Sequence, residues 1–190
     1  MRHLKRRLPF TISIIMLFAL LAFLMSSCTK TARSIESTQL IKESEIIAFQ
    51  NSYSFSFYSI TNAIKNEENV EQAAQKHIEG NFGFNDGKVL FKDGNDMDKA
   101  FRSTYEGVLS YFIGNSDSFP EDQGFANNRW EKISWNNSGI INNGDMAIVI
   151  GRATLTDSDK NVVEQNYTLG LKKNKEGEIK IVIYKTAIPC

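Results

Sequence analysis

The chain has 190 residues, with 22 basic and 22 acidic side chains and 42% hydrophobic residues, an ordinary globular composition. Two cysteines leave no room for a disulfide framework, and two histidines are too few for a His-rich zinc site. The first 27 residues hold Arg2, Lys5, Arg6 and Arg7 and no acid, so the remainder is mildly acidic without basic clusters, which argues against nucleic acid as a partner.

Residues 1–7 form a basic start, and residues 12–25 an apolar stretch the length of a secretory core, about 7–15 residues. The stretch ends in Leu24-Met25-Ser26-Ser27-Cys28, which resembles the lipobox of bacterial lipoproteins, with Met25 where Leu is usual. The resemblance implies a signal peptide over residues 1–27 and lipidation of Cys28, which would hold the protein to a membrane of the bacterial cell envelope. The outer membrane or a periplasmic face would suit. An uncleaved anchor over residues 8–25 is the alternative. Residues 28–38 are polar and lack periodicity, as a tether would, and residues 39–190 then form one domain. Cys190 is left as a lone terminal thiol without an assigned role.

Within that domain, Ile46, Phe49, Tyr53, Phe57, Ile60 and Ile64 recur at helical spacing. Tyr53-Ser54-Phe55-Ser56-Phe57 also alternates like a strand, but the stripe runs about five turns and decides for helix. A second helix is capped by Asn66 or Asn69, carries Val70, Ala73, Ala74, His77 and Ile78 on its apolar face, and stops at Gly80. Lys88-Val89-Leu90-Phe91-Lys92 reads as a short strand. Ser103-Thr104-Tyr105-Glu106 is a capping box opening a third helix that ends at Gly114. Residues 115–128 are a long polar connection, a candidate lid or rim loop.

Residues 130–187 read as an antiparallel meander of four strands. Turn chemistry falls at Asn142-Asn143-Gly144-Asp145, at residues 157–161 and at Asn174-Lys175-Glu176-Gly177. Helix, helix, strand, helix, then four strands describes an α+β domain with a helical layer on one sheet face.

This order resembles the nuclear transport factor 2-like superfamily, which includes SnoaL-like proteins and the association domain of calcium/calmodulin-dependent kinase. The resemblance covers residues 45–189. It rests on Gly87-Lys88-Val89-Leu90-Phe91-Lys92, on the stretches 101–112 and 119–126, and on residues 181–189. It implies a cystatin-like cone, a curved antiparallel sheet covered by about three N-terminal helices, with two copies pairing through a sheet face. Enzymatic members place an acid–base residue, commonly Asp or His, inside the cone. Relatives often carry Pro at the position of Ser103 and His-His at Tyr184-Lys185, so a His-based activity is not implied here.

His77 lies on an apolar helix face and reads as a core residue rather than a catalyst. Asp157-Ser158-Asp159-Lys160-Asn161 starts like a calcium loop but has Val162 where Gly is needed and Thr168 where Glu is needed, so it is a turn. Asp93, Asn95 and Asp98 read as a solvated turn. No metal site and no cofactor are expected.

Strand alternation gives the sharper expectation. Met146, Ile148 and Ile150 share a face with Arg152, Ile179, Ile181 and Ile183 with Lys185, Ile133 with Trp135, and Val163 and Leu169 with Tyr167. If these bulkier registers face the helices, Arg152, Lys185, Trp135 and Tyr167 gather at the mouth of the concave side, joined by Tyr105 and Glu106. Such a pocket suits a small, partly apolar anion. The cations could instead sit at the rim or pair with Glu106 or Asp122. The opposite register, with Ala147, Val149, Ala153, Leu155, Val182 and Tyr184, is also largely apolar and predicts a homodimer. The resulting functional expectation is a non-catalytic small-ligand-binding or assembly module. The alternative is a cofactor-independent isomerase, dehydratase or hydrolase of the SnoaL-like type, using a carboxylate such as Glu106 or Asp122.

Overall fold

The helical stripe of the first segment becomes α1, Glu43–Lys65, in the computed structural model, which describes residues 40–94 and 101–189. The expectations for the signal peptide (1–27), the tether (28–38), Cys28, Cys190, Asn95 and Asp98 lie outside the described residues. In α1, Ile46, Tyr53, Phe57 and Ile60 are buried while Phe55 points to solvent, so helical period wins over the local alternation. Each buried side chain of this size contributes about 1.5–3 kcal/mol. Helix α2, Val70–Asn81, starts at Asn69, whose side chain accepts from Gln72 N at 2.9 Å. It runs through Gly80, because Asn81 closes it by bonding to His77 O (2.7 Å) and to Ser56 Oγ on α1 (2.9 Å). Helix α3, Tyr105–Ile113, is capped by Thr104 rather than Ser103, with Gly107 N donating to the Thr104 hydroxyl at 3.1 Å.

Strands β1 (Leu90–Lys92), β2 (Phe101–Arg102), β3 (Trp130–Asn143), β4 (Met146–Asp157), β5 (Val162–Lys173) and β6 (Ile179–Ala187) form one sheet in the order β2-β1-β6-β5-β4-β3. The last four make the antiparallel meander, turning at the three turn clusters read from sequence. Its free edge at β6 is covered by β1, which runs parallel to it, so the sheet is mixed. Three helices over this curved sheet are the α+β cone of the superfamily resemblance.

The helices cover the face carrying Ala147, Val149, Ala153 and Leu155, the reverse of the register expected for β4. Small residues at 147 and 153 leave room for the aromatic stripe of α1 in the same core, and close packing favours that fit over a row of isoleucines. In β6 a bulge changes the alternation. Gly170 pairs with Ile183 but Leu171 pairs with Ile181, leaving Val182 as the extra residue. Ile181 and Tyr184 are therefore both buried on the inner face, and Lys185 turns outward. The register proposed for dimer contact is thus core. The outer face instead carries a row across five strands: Leu90, Ile183, Gly170, Ile148 and Ile141.

Residues 114–124 are tied down rather than lid-like. Gly114 (φ 73°) and Gly124 (φ 80°) bring two backbone segments together, and a Cβ on Gly124 would stand 2.7 Å from Ile113 C. Arg102 on β2, with its side chain fully buried, reaches Asp122 at 2.7 Å and Glu121 at 3.4 Å and lies 4.4 Å from the Phe119 ring centre. Ser110 of α3 donates to the other Asp122 oxygen at 2.6 Å. This clamp fixes the segment leading to the 3-10 turn Phe125–Asn128, which supplies a wall of the pocket.

Candidate active site

The inner sheet face, α1 and Phe125 enclose a cavity of about 360 Å³, part of it open to solvent. Its walls are Phe57, Phe125, Ile133, Trp135, Ala153 and Leu155. Polar atoms come from Tyr53, Gln165, Tyr167, Tyr184 and Thr186, and none of these lining side chains is an acid, Lys, Arg or His.

Two neighbouring β6 residues, Tyr184 and Thr186, share the inner face because the Val182 bulge precedes both. The Thr186 hydroxyl is buried without a hydrogen-bond partner among the described residues. Leaving such a group unpaired costs about 1–3 kcal/mol, which makes it stand out. Burial pushes the Tyr184 phenol up to about 12, with hydrogen bonds from Tyr53 and Tyr111 acting the other way. Burial pushes Tyr53 and Tyr111 up further. All three stay protonated near neutral pH and can donate.

Tyr167 is held from behind by a closed amide pair. Its hydroxyl donates to Asn137 Oδ1 (2.5 Å) and accepts from Gln50 Nε2 (3.3 Å), while Gln50 and Asn137 exchange bonds of 2.8 and 3.1 Å. Burial raises the Tyr167 pKa, and the Gln50 bond lowers it. Gly151, paired with Tyr167 across β4 and β5, makes this possible: a Cβ there would lie 2.5 Å from the Tyr167 hydroxyl. Trp135 is oriented by its Nε1 donating to Ser54 Oγ of α1 at 2.9 Å.

Of the six candidates read from sequence, Trp135 and Tyr167 line this cavity and meet edge to face, 5.0 Å between centres. Arg152 and Lys185 lie on the opposite face of the sheet, exposed. Arg152 there pairs with Glu164 at 3.1 Å. Tyr105 is half-buried at the start of α3 against Phe84, and Glu106 is exposed beside it. The carboxylate of Asp122 is committed to Arg102 and Ser110. Tyr53, Gln165, Tyr184 and Thr186 were missed. Gln165 alternates with Tyr167 and was legible, whereas the β6 pair hides behind the bulge. Among the described residues no three His, Cys, Asp or Glu side chains converge to hold a metal ion. His77 is fully buried, its Nδ1 2.8 Å from Ser56 Oγ, and burial lowers its pKa to about 3, so it is a neutral core residue.

The family described as metal-independent carbonic anhydrase matches residues 44–188. A metal-independent carbonic anhydrase of Nostoc sp. (strain PCC 7120 / SAG 25.82 / UTEX 2576) is 30% identical over 152 residues, 78% of this chain and 74% of that protein. The crystal structure of a cyanobacterial iota-carbonic anhydrase complexed with bicarbonate superposes with a TM-score of 0.76 at 29% identity, covering 79% of this chain and 93% of that one. A putative calcium/calmodulin-dependent protein kinase II association domain from Xanthomonas campestris gives 0.47 at 16% identity, over 76% and 86%. These matches overturn the expectation of a non-catalytic module, since the family is one of enzymes. They also overturn the isomerase, dehydratase or hydrolase alternative, which is not carbonic anhydrase chemistry. The error has a physical cause: a pocket of neutral hydroxyls reads in sequence as core.

Proposed function

We propose that this chain, which belongs to the metal-independent carbonic anhydrase family, interconverts carbon dioxide and bicarbonate in the cavity between α1 and the inner sheet face. The observation that carries the reading is the family match over residues 44–188. The relative crystallised with bicarbonate supports a small anionic ligand of this kind. The pocket's chemistry supports it too. Its apolar walls suit carbon dioxide, which has no net dipole, and its hydroxyls and amide suit the bicarbonate formed from it.

In the forward step, the oxygen of water adds to the carbon of carbon dioxide. One C–O π pair moves onto oxygen, and a water proton leaves, giving bicarbonate. Negative charge develops on the former carbon dioxide oxygen, and Tyr184 and Thr186 are the donors available to meet it. A phenol at about 12 stays protonated, so Tyr184 serves as donor rather than base. Stopped-flow hydration with a pH indicator tests the reading. The purified protein should accelerate hydration, a chelator should leave the rate unchanged, and Thr186→Val should lose roughly 100-fold in kcat. A wild-type rate equal to the uncatalysed one would end the proposal.

We also read residues 1–27 as a lipoprotein signal peptide, 28–38 as a tether and Cys28 as the lipidated residue, in the bacterial cell envelope. The basic start, the apolar stretch and the Ser-Ser-Cys end support this. Radiolabelled fatty acid should enter the wild type and spare Cys28→Ser. A homodimer pairing through the outer sheet face is supported by its exposed Leu90, Ile141, Ile148 and Ile150.

A further inference from the structure

Hydration releases a proton, and the pocket lining holds hydroxyls, an amide and apolar groups but no base. The inference below rests on the carbonic anhydrase reading of this cavity and asks where that proton goes. Strands β1 and β6 run parallel with Leu90 beside Ile183, Phe91 beside Tyr184 and Lys92 beside Lys185. One step further along the same register, Asp93 comes beside Thr186. The backbone stays close there: a Cβ on Gly94 would lie 3.4 Å from Ala187 Cα and 3.5 Å from Ile188 N. Alternation along this segment puts Val89, Phe91 and Asp93 inward, all buried, and leaves Leu90 exposed. Asp93 is only 2% exposed and Thr186, whose hydroxyl is without a partner, 4%.

The geometry points to Asp93 as the proton acceptor of the hydration step, acting through the Thr186 hydroxyl. As the water oxygen bonds to carbon, a water proton passes to Thr186 Oγ1 and the Thr186 proton passes to the Asp93 carboxylate. Threonine is unchanged at the end, bicarbonate carries the negative charge, and the protonated Asp93 returns its proton to solvent. Asp93 thus positions and receives a proton rather than touching the substrate.

The groups facing Asp93 are compatible with that role. Tyr184 of β6 and Tyr111 of α3 are near enough for its charge to raise both phenols. Lys92 on its own strand reaches the Asp93 carbonyl oxygen at 3.4 Å. Arg102, inward on β2 opposite Phe91, spends its charge on Asp122 and Glu121. Asp122 stands on the far side of Tyr111 and is neutralised by that arginine.

The test is stopped-flow hydration of carbon dioxide by the purified full chain from about pH 5 to pH 9, on wild type, Asp93→Asn and Asp93→Glu. Asp93→Asn should lose about 100-fold in kcat with little change in KM, and the acid limb of the pH profile should vanish. Asp93→Glu should keep an acid limb at a shifted position. Retention of the wild-type acid limb by Asp93→Asn, whatever its kcat, overturns the inference, as does a loss confined to KM. If circular dichroism finds Asp93→Asn unfolded, Asp93→Glu decides: a shifted limb supports the role and an unshifted one overturns it. An inactive wild type overturns the parent reading and this inference with it. An active wild type with an indifferent Asp93→Asn overturns this inference alone.

Discussion

Arg102 and Arg152 stand on opposite faces of one sheet and have opposite fates. The Arg102 side chain is 0% exposed, paired with Asp122 and Glu121 and stacked on Phe119. The Arg152 side chain is 49% exposed and holds Glu164 across β5 in water. On the inner face desolvation is severe, so a polar group there is either committed to a partner or left over for chemistry. Arg102 and Asp122 are the first kind, and the Thr186 hydroxyl is the second. On the outer face, water satisfies whatever the neighbours do not, so ion pairs there are worth little.

Breaking the inner arginine should give the largest effect. Arg102→Ala leaves Asp122 buried and uncompensated, and should cost about 3–5 kcal/mol in chemical denaturation. A cost below about 1 kcal/mol would mean the clamp is not what holds residues 114–124. Next comes His77. Its folded pKa of about 3 lies below the ordinary 6.5, so the folded state requires the neutral ring. The stability this confers is fully present above pH 6.5. It is lost as pH falls towards 3, because the unfolded chain takes up a proton the folded chain refuses. By pH 4 the loss should be roughly 3 kcal/mol, and His77→Gln should remove most of that slope. Equal slopes for the two proteins would refute the neutral assignment.

Gly151→Ala should cost about 1–3 kcal/mol, because its Cβ would meet Asn136 O and the Tyr167 hydroxyl and disturb the pocket's aromatic wall. Ile148→Lys, on the outer face, should leave unfolding within about 0.5 kcal/mol while shifting light scattering from dimer to monomer. An unchanged dimer would move the pairing surface elsewhere. Smallest of all, Arg152→Ala should change stability by less than about 0.5 kcal/mol and leave hydration unaffected. A marked loss of activity would bring the outer cation back into the site.

Much of the fold was legible in the residues alone, because its determinants are local. The spacing of Ile46, Tyr53, Phe57 and Ile60 requires a helix whatever it packs on. The Asn69 cap and the turns at residues 142–145, 157–161 and 174–177 are set by side chains bonding to their own backbone. Trp135 and Tyr167 were legible as an inward pair because no bulge separates either from the strand residues that define its face.

The tertiary structure decided the rest. Alternation tells which residues of β4 share a face but not which face is inside. The volume of the α1 aromatics settled that in favour of Ala147 and Ala153, sending Ile148 and Arg152 out. One extra residue at Val182 reversed the sides of Tyr184 and Lys185, and no composition signal marks a bulge without glycine. The chemistry followed from burial. A threonine hydroxyl, a phenol at about 12 and a histidine at about 3 are ordinary side chains in sequence, and only desolvation made them an unpaired donor, a fixed donor and a neutral ring.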